Sequence, residues 1–182
     1  MKIFRIILLL GFLPLIARSQ SNEGILRFDS DGFSINAEGF GVKRQDLGGV
    51  AGQSPTVVLY LTPTGGFAPN VNVLIQNFPA SINDYITVTK KEFDSAGVKL
   101  LNEHLVSAEE WDLEYQGNLS GKEFHWYARA VKSGDKVYLT TATATPSQWD
   151  QVSHQLIQCV DSFALIGASQ SQPNNLQPQP AS

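Results

Sequence analysis

The sequence predicts an α+β fold in which two helices cover an antiparallel β-sheet, one on each face. Three observations predict it. Several segments alternate apolar and polar residues with the period of a strand, two segments carry apolar residues at helical spacing, and the links between the later strands are as short as turns. A helix after the first strands, then a meander and a closing helix, is typical of the α+β class.

The first strands and the first helix are marked by local chemistry. Residues 33–35 alternate as a short opening strand, and residues 57–61 and 71–78 are predicted strands joined by a turn. Ser81 and Asp84 form a capping box at the start of a helix, which Gly97 can end. Residues 43–56 are Gly-rich and lack the Lys-Ser/Thr pair of a phosphate loop, so we predict an ordinary loop there.

Four further strands and a second helix complete the predicted domain. The strands are predicted at residues 98–107, 111–116, 123–132 and 136–144. The last of them is rich in threonine, which is β-branched and suits a pleated surface without any functional role. Thr145 at the N-cap, Pro146 at the first position and Gln148 predict the helix start. Its apolar stripe is Trp149, Val152, Leu156, Cys159 and Phe163.

The N-terminus has the pattern of an export signal. Lys2 and Arg5 precede an apolar run at residues 6–16, and the small residues Ala17 and Ser19 frame a cleavage site. The apolar run is shorter than the roughly 20 residues that span a bilayer. We therefore predict a cleaved signal peptide at 1–19, no stable membrane insertion, and a soluble protein in the periplasm or outside the cell.

The remaining chain divides into three parts. Residues 20–27 are a short N-terminal segment, residues 28–166 have the size of one domain, and residues 167–182 form a polar tail. The tail has one large apolar residue, Leu176, and three prolines, so we predict that it is disordered.

The charge of the exported chain limits its partners. The full chain has 13 basic and 17 acidic residues, and removal of Lys2, Arg5 and Arg18 leaves 10 basic residues, a net charge of 10 − 17 = −7. Nucleic acids and anionic membranes attract clustered cations, so we predict that neither is the partner. The acidic balance is compatible with a cationic protein or a metal ion.

Several segments resemble the PsbP-like family. They are 133–165 (SGDKVYLTTATATPSQWDQVSHQLIQCVDSFAL), 68–85 (APNVNVLIQNFPASINDY) and 121–134 (GKEFHWYARAVKSG), within a likeness that covers about residues 28–166. The resemblance implies an α/β/α sandwich. It also implies a role in binding proteins, as in the extrinsic photosystem II protein and the nuclear-transport Mog protein of the wider superfamily.

Histidines are the candidate ligands and catalytic groups. His104 lies in a predicted strand near carboxylates, and His125 lies in another strand beside Glu123, so the two could meet around zinc or manganese if the register allowed. His154 and Ser153 are adjacent on a helix and do not face each other, which disfavours a hydrolase arrangement. The predicted metal ligands are therefore weak candidates, and no catalytic residue is predicted.

The aromatic residues and the single cysteine are expected in the core. Three tryptophans and several tyrosines are predicted to pack between helix and sheet, with a ligand pocket as the alternative. Cys159 lies on the apolar stripe, where an inert buried thiol is expected, and a lone cysteine forms no intramolecular disulfide.

The sequence thus predicts an exported, non-catalytic domain without a cofactor. We expect it to bind a protein in the cell envelope and to assist assembly or stability; the alternative is a carrier of a small molecule or metal in the same compartment. The expected partner-binding residues are Phe67, Asn70, Glu109, Glu110 and Asp112.

Overall fold

The computed structural model describes residues 24–44 and 55–167. The predicted signal peptide lies outside these ranges, as does the predicted tail apart from Gly167. Within them, no helix has the length and apolar character needed to cross a membrane.

The described residues form ten strands and two helices. In chain order these are β1 (Ile25–Phe28), β2 (Phe33–Asn36), β3 (Gly41–Arg44), β4 (Val57–Tyr60), β5 (Asn70–Asn77), α1 (Ile82–Ala96), β6 (Lys99–Ser107), β7 (Glu110–Leu119), β8 (Lys122–Ser133), β9 (Lys136–Ala144), α2 (Pro146–Asp161) and β10 (Ala164–Leu165).

The strands form two antiparallel sheets. The larger has the order β3-β4-β5-β9-β8-β7-β6, and the smaller has the order β1-β2-β10. Strands β6 to β9 follow one another as the predicted meander, because two-residue turns join β7 to β8 and β8 to β9. Strand β9 is therefore central in the larger sheet, and β6 is one of its edges.

The two helices begin as their capping residues predict. The Ser81 hydroxyl accepts a hydrogen bond from the Asp84 N–H at 3.2 Å, and the Asp84 carboxylate accepts from the Ser81 N–H at 3.1 Å. Hydrogen bonds from Ser81 lower the pKa of Asp84. Gly97 ends α1 in the left-handed conformation, at φ 68°. In α2, the Gln148 side chain accepts from the Thr145 N–H at 3.1 Å.

Two apolar cores lie on opposite faces of the larger sheet, as predicted for one helix on each face. The first packs the sheet against α2 and the smaller sheet, and its fully buried members include Phe33, Phe40, Leu59, Leu156 and Val160. The second lies under α1 and includes Phe93, Trp111, Tyr115, Phe124 and Trp126. We call the two sides of the larger sheet the α2 face and the α1 face.

Three short strands were not predicted. Strand β1 begins at Ile25 and pairs with β2, so paired structure starts three residues before the predicted domain boundary at 28. Strand β3 occupies Gly41–Arg44, so residues 43 and 44 are strand and not loop; residues 45–54 lie outside the described ranges. Strand β10 adds two residues to β2.

Candidate functional site

Strands β7 and β8 have an apolar side and a charged side. On the α1 face, Trp111, Leu113 and Tyr115 alternate along β7 and are buried in the second core. On the α2 face, the residues between them are Glu110, Asp112, Glu114 and Gln116, which are partly exposed. The alternation of β7 thus places four polar side chains in a row on the α2 face.

Helix α2 does not cover that row. Among the described elements, α2 packs chiefly against β8 and β9, with fewer contacts to β5 and β2. Strands β7 and β6 lie beyond the helix, toward the edge of the sheet. We call the α2-face side chains of β6 and β7, together with Arg129 and His125 at the border with α2, the open surface.

Arg129 organises the centre of the open surface. Its Nε and Nη2 atoms donate to the two carboxylate oxygens of Asp112, each at 2.8 Å, which is bidentate pairing. Its Nε also lies 3.1 Å from Glu110 Oε1, and its Nη2 lies 3.2 Å from Asp161 Oδ1. The hydrogen bonds to Asp112 raise the pKa of Arg129 above its usual range. One permanent cation therefore orders three carboxylates.

The same cluster holds the end of α2. Arg129 Nη1 donates to the carbonyl oxygen of Asp161 at 3.3 Å, and the Tyr127 hydroxyl donates to Asp161 Oδ1 at 3.0 Å. A carboxylate at a helix C-terminus is unfavourable beside the negative end of the helix dipole, and Arg129 offsets that. Burial raises the pKa of Tyr127, with Asp112 and Asp161 adding to the effect, so this phenol is a neutral donor.

His125 forms the second polar contact at the border with α2. Its Nε2 lies 2.7 Å from Glu114 Oε1, and its ring stacks on Trp149 of α2 with centroids 4.0 Å apart and planes at 15°. Strand β8 carries His125, β7 carries Glu114 and α2 carries Trp149. This contact therefore joins the open surface to the first core.

The register separates the two histidines proposed as metal ligands. His104 lies opposite Asp112, whereas His125 lies opposite Gln116, four residues further along β7. Four residues correspond to about 14 Å along a strand. Within residues 24–44 and 55–167, no group of three or more histidine, cysteine or carboxylate side chains is placed to hold a metal ion.

The five expected partner-binding residues fall in two separate places. Glu110 and Asp112 lie in the open surface, and Glu109 is exposed in the adjoining turn. Phe67 packs edge-on against Phe124 with ring centroids 5.0 Å apart, which is on the α1 side. Asn70, three residues further on, pairs with Thr143 of β9. Glu110 is level with Tyr138 of β9, so Asn70 and Glu110 are separated by five residues along the strand direction as well as by the strands between them.

The edge strand β6 is the second feature of this region. All but one of its nine residues are exposed, and Leu101, Leu105 and Val106 are 38%, 49% and 43% exposed. Glu103 turns inward, toward α1: its carboxylate accepts from Lys90 at 2.5 Å and from Trp111 Nε1 at 3.2 Å. Strand β6 therefore has an anchored middle and exposed apolar side chains on either side of it.

Sequence reasoning did not identify Arg129, Asp161 or the exposed apolar residues of β6. A signal for the Arg129–Asp112 pair was present in the turn, since Leu119 pairs with Lys122 across Ser120-Gly121. Counting back from that turn places Asp112 opposite Arg129. Asp161 could not be found in this way, because its approach depends on how α2 packs on the sheet.

The remaining candidates lie where the sequence predicted them. Cys159 is buried, its sulfur lies 3.1 Å from the carbonyl oxygen of Asn36, and burial raises its pKa to about 12, so it is an unreactive thiol. His154 is exposed on α2. Large aromatic residues fill the two cores, among them Tyr85, Trp111, Tyr115, Trp126 and Tyr138.

Comparison with known proteins supports the fold. No protein-family model and no curated protein matches the sequence. The solution structure of cyanobacterial PsbP (CyanoP) from Synechocystis sp. PCC 6803 is similar, with a TM-score of 0.55, 16% identity, and coverage of 78% of this chain and 91% of that chain. A protein of unknown function, PA94 from Pseudomonas aeruginosa, has a TM-score of 0.50 and 16% identity, with 78% and 99% covered.

At these identities the similarity concerns the fold. The chain has a PsbP-like fold, with antiparallel sheets and two helices, so the predicted fold class and the resemblance to PsbP-like proteins are both confirmed at that level.

Proposed function

We propose that this chain is an exported, non-catalytic domain that binds another protein in the cell envelope through the open surface and strand β6. Export is proposed from the first 19 residues, whose basic start, apolar run and small-residue end fit a signal peptide. The site is proposed from the region where the larger sheet extends beyond α2.

One observation carries the proposal: the exposed apolar side chains of the domain are concentrated on one strand. Five large hydrophobic residues are exposed among the described residues, and three of them, Leu101, Leu105 and Val106, lie on β6. Apolar side chains grouped on a surface and bordered by charged groups are typical of protein–protein contact sites.

The charged part of the region supports the same function. Arg129 and His125 are held by their partners at 2.7–3.2 Å, and the other side of β7 and β8 is fixed in a core. Side chains that are already ordered lose little conformational entropy when a partner binds. The open surface is therefore suited to a rigid contact more than to an adaptable one.

Site-specific photo-crosslinking tests the proposal. A photoreactive phenylalanine analogue would replace Leu105 on β6 or Glu110 on the open surface, and Val88 on α1 would carry it as a control. Val88 is 37% exposed and lies on α1, the helix that covers the other face of the larger sheet. We expect the same discrete crosslinked protein from positions 105 and 110 in intact cells, and none from position 88.

Two results would contradict the proposal. Equal crosslinking from all three positions would indicate collisions and not a site. Stabilisation of the pure protein by zinc, manganese or a lipid would favour the carrier function, since a ligand at 100 times its dissociation constant adds about 2.7 kcal/mol to the free energy of unfolding.

A further inference from the structure

We propose that the partner presents an extended, basic segment that adds to β6 as an eighth strand of the larger sheet. This inference rests on the proposed function and specifies the chemistry of the partner. It is argued from the exposed edge, the residues on that edge and the charges beside it.

Among the described residues, the outer edge of β6 has no neighbouring strand, and the Glu103 N–H donates to its own strand's Asn102 Oδ1 at 2.9 Å. The order of the larger sheet places β6 at one end, with β7 as its neighbour, and β6 has nine residues where the opposite edge strand, β3, has four. In an antiparallel strand every second residue directs its N–H and C=O away from the neighbour. A long exposed edge of this kind can accept another strand through main-chain hydrogen bonds.

Irregularities limit how much of the edge is usable. The register of β6 against β7 shifts between Leu100 and Asn102 and again between Leu105 and Ser107. Such bulges commonly protect an edge from unselective pairing. The regular run that remains is Asn102 to Leu105, so the added segment would pair over about four residues.

The exposed apolar residues lie at the two ends of that run. Leu101 and Val106 occupy the irregular positions, and Leu105 lies on the α1 face, opposite Trp111. A segment paired with Asn102–Leu105 would bring alternate side chains over Leu105 on the α1 face. The strand therefore supplies main-chain pairing and apolar contact together.

The charges beside the edge select a cationic occupant. On the α2 face, Glu110, Asp112 and Glu114 lie on the next strand, and the single arginine among them, Arg129, is engaged by three carboxylates. Lysine or arginine side chains on the α2 face of an added strand would extend toward this row. Strand β6 lies between, with Asn102 and His104 on this face, so the attraction acts across two strand spacings, roughly 10 Å, and is sensitive to salt.

A second copy of the chain fits less well. Each exported chain has a net charge of −7, by the count of 10 basic and 17 acidic residues. Antiparallel self-pairing about Glu103 would set two carboxylates opposite each other, which is destabilising, whereas pairing about His104 would be opposed by the net repulsion of two acidic chains. The charge complementarity thus favours a basic segment from another protein.

Alternately N-methylated peptides test strand addition directly. The probe is a fluorescent peptide of about eight residues with lysine and valine alternating, in two versions that carry N-methyl groups on the odd or on the even positions. Methylation removes N–H donors from one side of the peptide. We expect one version to bind the full chain about tenfold or more weakly than the other, by fluorescence anisotropy. Equal affinity would overturn the proposal.

A pair of lysine variants tests the location. Leu105→Lys removes an exposed apolar side chain and adds a like charge for the peptide, so we expect about a tenfold loss of affinity. Val88→Lys makes the same change at a site of comparable exposure on α1 and should alter affinity by less than about twofold. Equal effects of the two variants, with unchanged thermal stability, would contradict the site.

Two further measurements test the basic charge of the bound segment and the alternative that a second copy of the chain occupies the edge of β6. A peptide with glutamate in place of lysine should bind at least about tenfold more weakly, and the lysine peptide should lose affinity as salt rises. Sedimentation showing a dimer that Leu105→Lys abolishes would replace the basic segment with a second copy. If crosslinks arise from positions 105 and 110 while the two methylated peptides bind equally, the proposed function stands and strand addition fails.

Discussion

Strands β7 and β8 show two different ways in which one hairpin can be stabilised. On the α1 face they are packed: Trp111 is 1% exposed, and Trp126 stacks on Tyr115 with centroids 5.1 Å apart. On the α2 face the same strands are held by ions, with Asp112 bidentate on Arg129. Because adjacent residues serve the two faces, the packed side fixes where the charged side chains stand.

The difference indicates how the open surface can be charged and still ordered. Exposed ion pairs contribute little stability, about 0–1 kcal/mol each, whereas a fully buried apolar side chain contributes about 1.5–3 kcal/mol. The energy that holds the hairpin therefore comes mainly from the α1 face, and the partly buried Arg129–Asp112 pair adds to it. The α2 face is free to carry groups chosen for contact.

The largest expected effect comes from emptying the packed side. Trp111→Ala should lower the free energy of unfolding by about 3–5 kcal/mol, because it leaves a cavity in the second core and removes the indole donor from Glu103. Urea denaturation would measure it. Glu110→Ala, one residue away on the α2 face, should cost less than about 1 kcal/mol. Similar losses in the two variants would mean that the faces do not differ as described.

The next largest effect is expected for Arg129, whose ion pair is intermediate between an exposed pair and a buried pair. Its side chain is 17% exposed and that of Asp112 is 15% exposed, so the pair is neither a surface pair nor a fully buried one. Arg129→Met should cost about 2 kcal/mol, between the values for exposed and buried pairs, because Asp112 is left without its cation.

A double variant separates the pair from its surroundings. Combining Arg129→Met with Asp112→Leu removes both charges and should recover part of the loss, giving a coupling energy of about 1–2 kcal/mol. Strictly additive losses would show that Asp112 does not depend on Arg129, and the charged side would then resemble an ordinary solvated surface.

Local chemistry explains why much of the fold was predictable. The capping box of Ser81 and Asp84, the left-handed Gly97 and the Thr145-Pro146 start each depend on a few adjacent residues, and all three appear in the structure. The strands β5 to β9 are each eight residues long or more, and β7 and β8 alternate buried with partly exposed residues. Signals of that length are hard to mistake.

The missed parts depend on distant residues. Strands β1, β3 and β10 have four, four and two residues, and β10 pairs with β2 across nearly the whole domain. The bulge between Leu105 and Ser107 is also invisible in the sequence, yet it sets His104 opposite Asp112 and not opposite Leu113. The sequence of β7 shows the row of acidic residues on the open surface. Where that surface ends could not be predicted, because it depends on how α2 packs on the sheet.

The pH dependence of stability tests how well the first core shields Cys159 from water. Burial raises the pKa of this thiol to about 12, against about 8.5 in an unfolded chain. Below about pH 8 the thiol is neutral in both states and has no effect. As the pH rises, the unfolded state loses its proton first, so the folded state is progressively destabilised, and the loss is complete only above the folded pKa.

The measurement is the free energy of unfolding at pH 8 and pH 10. The difference should be about 1.9 kcal/mol larger in the natural chain than in Cys159→Ala, which has no thiol to titrate. The same pH dependence in both proteins would show that the thiol is accessible to water, and that the first core is looser at α2 than its packing indicates.

The smallest effect is expected at Glu114, where the open surface meets α2. Glu114→Gln keeps the shape of the side chain and an oxygen for His125 but removes the charge, so the loss should be below about 1 kcal/mol and should shrink further in high salt. Urea denaturation at two salt concentrations would measure it. A loss above about 2 kcal/mol would mean that Glu114 holds His125 against Trp149, and that the ionic side contributes to the core. The open surface would then be a structural support for α2, and variants there could not be used to study partner binding without first restoring stability.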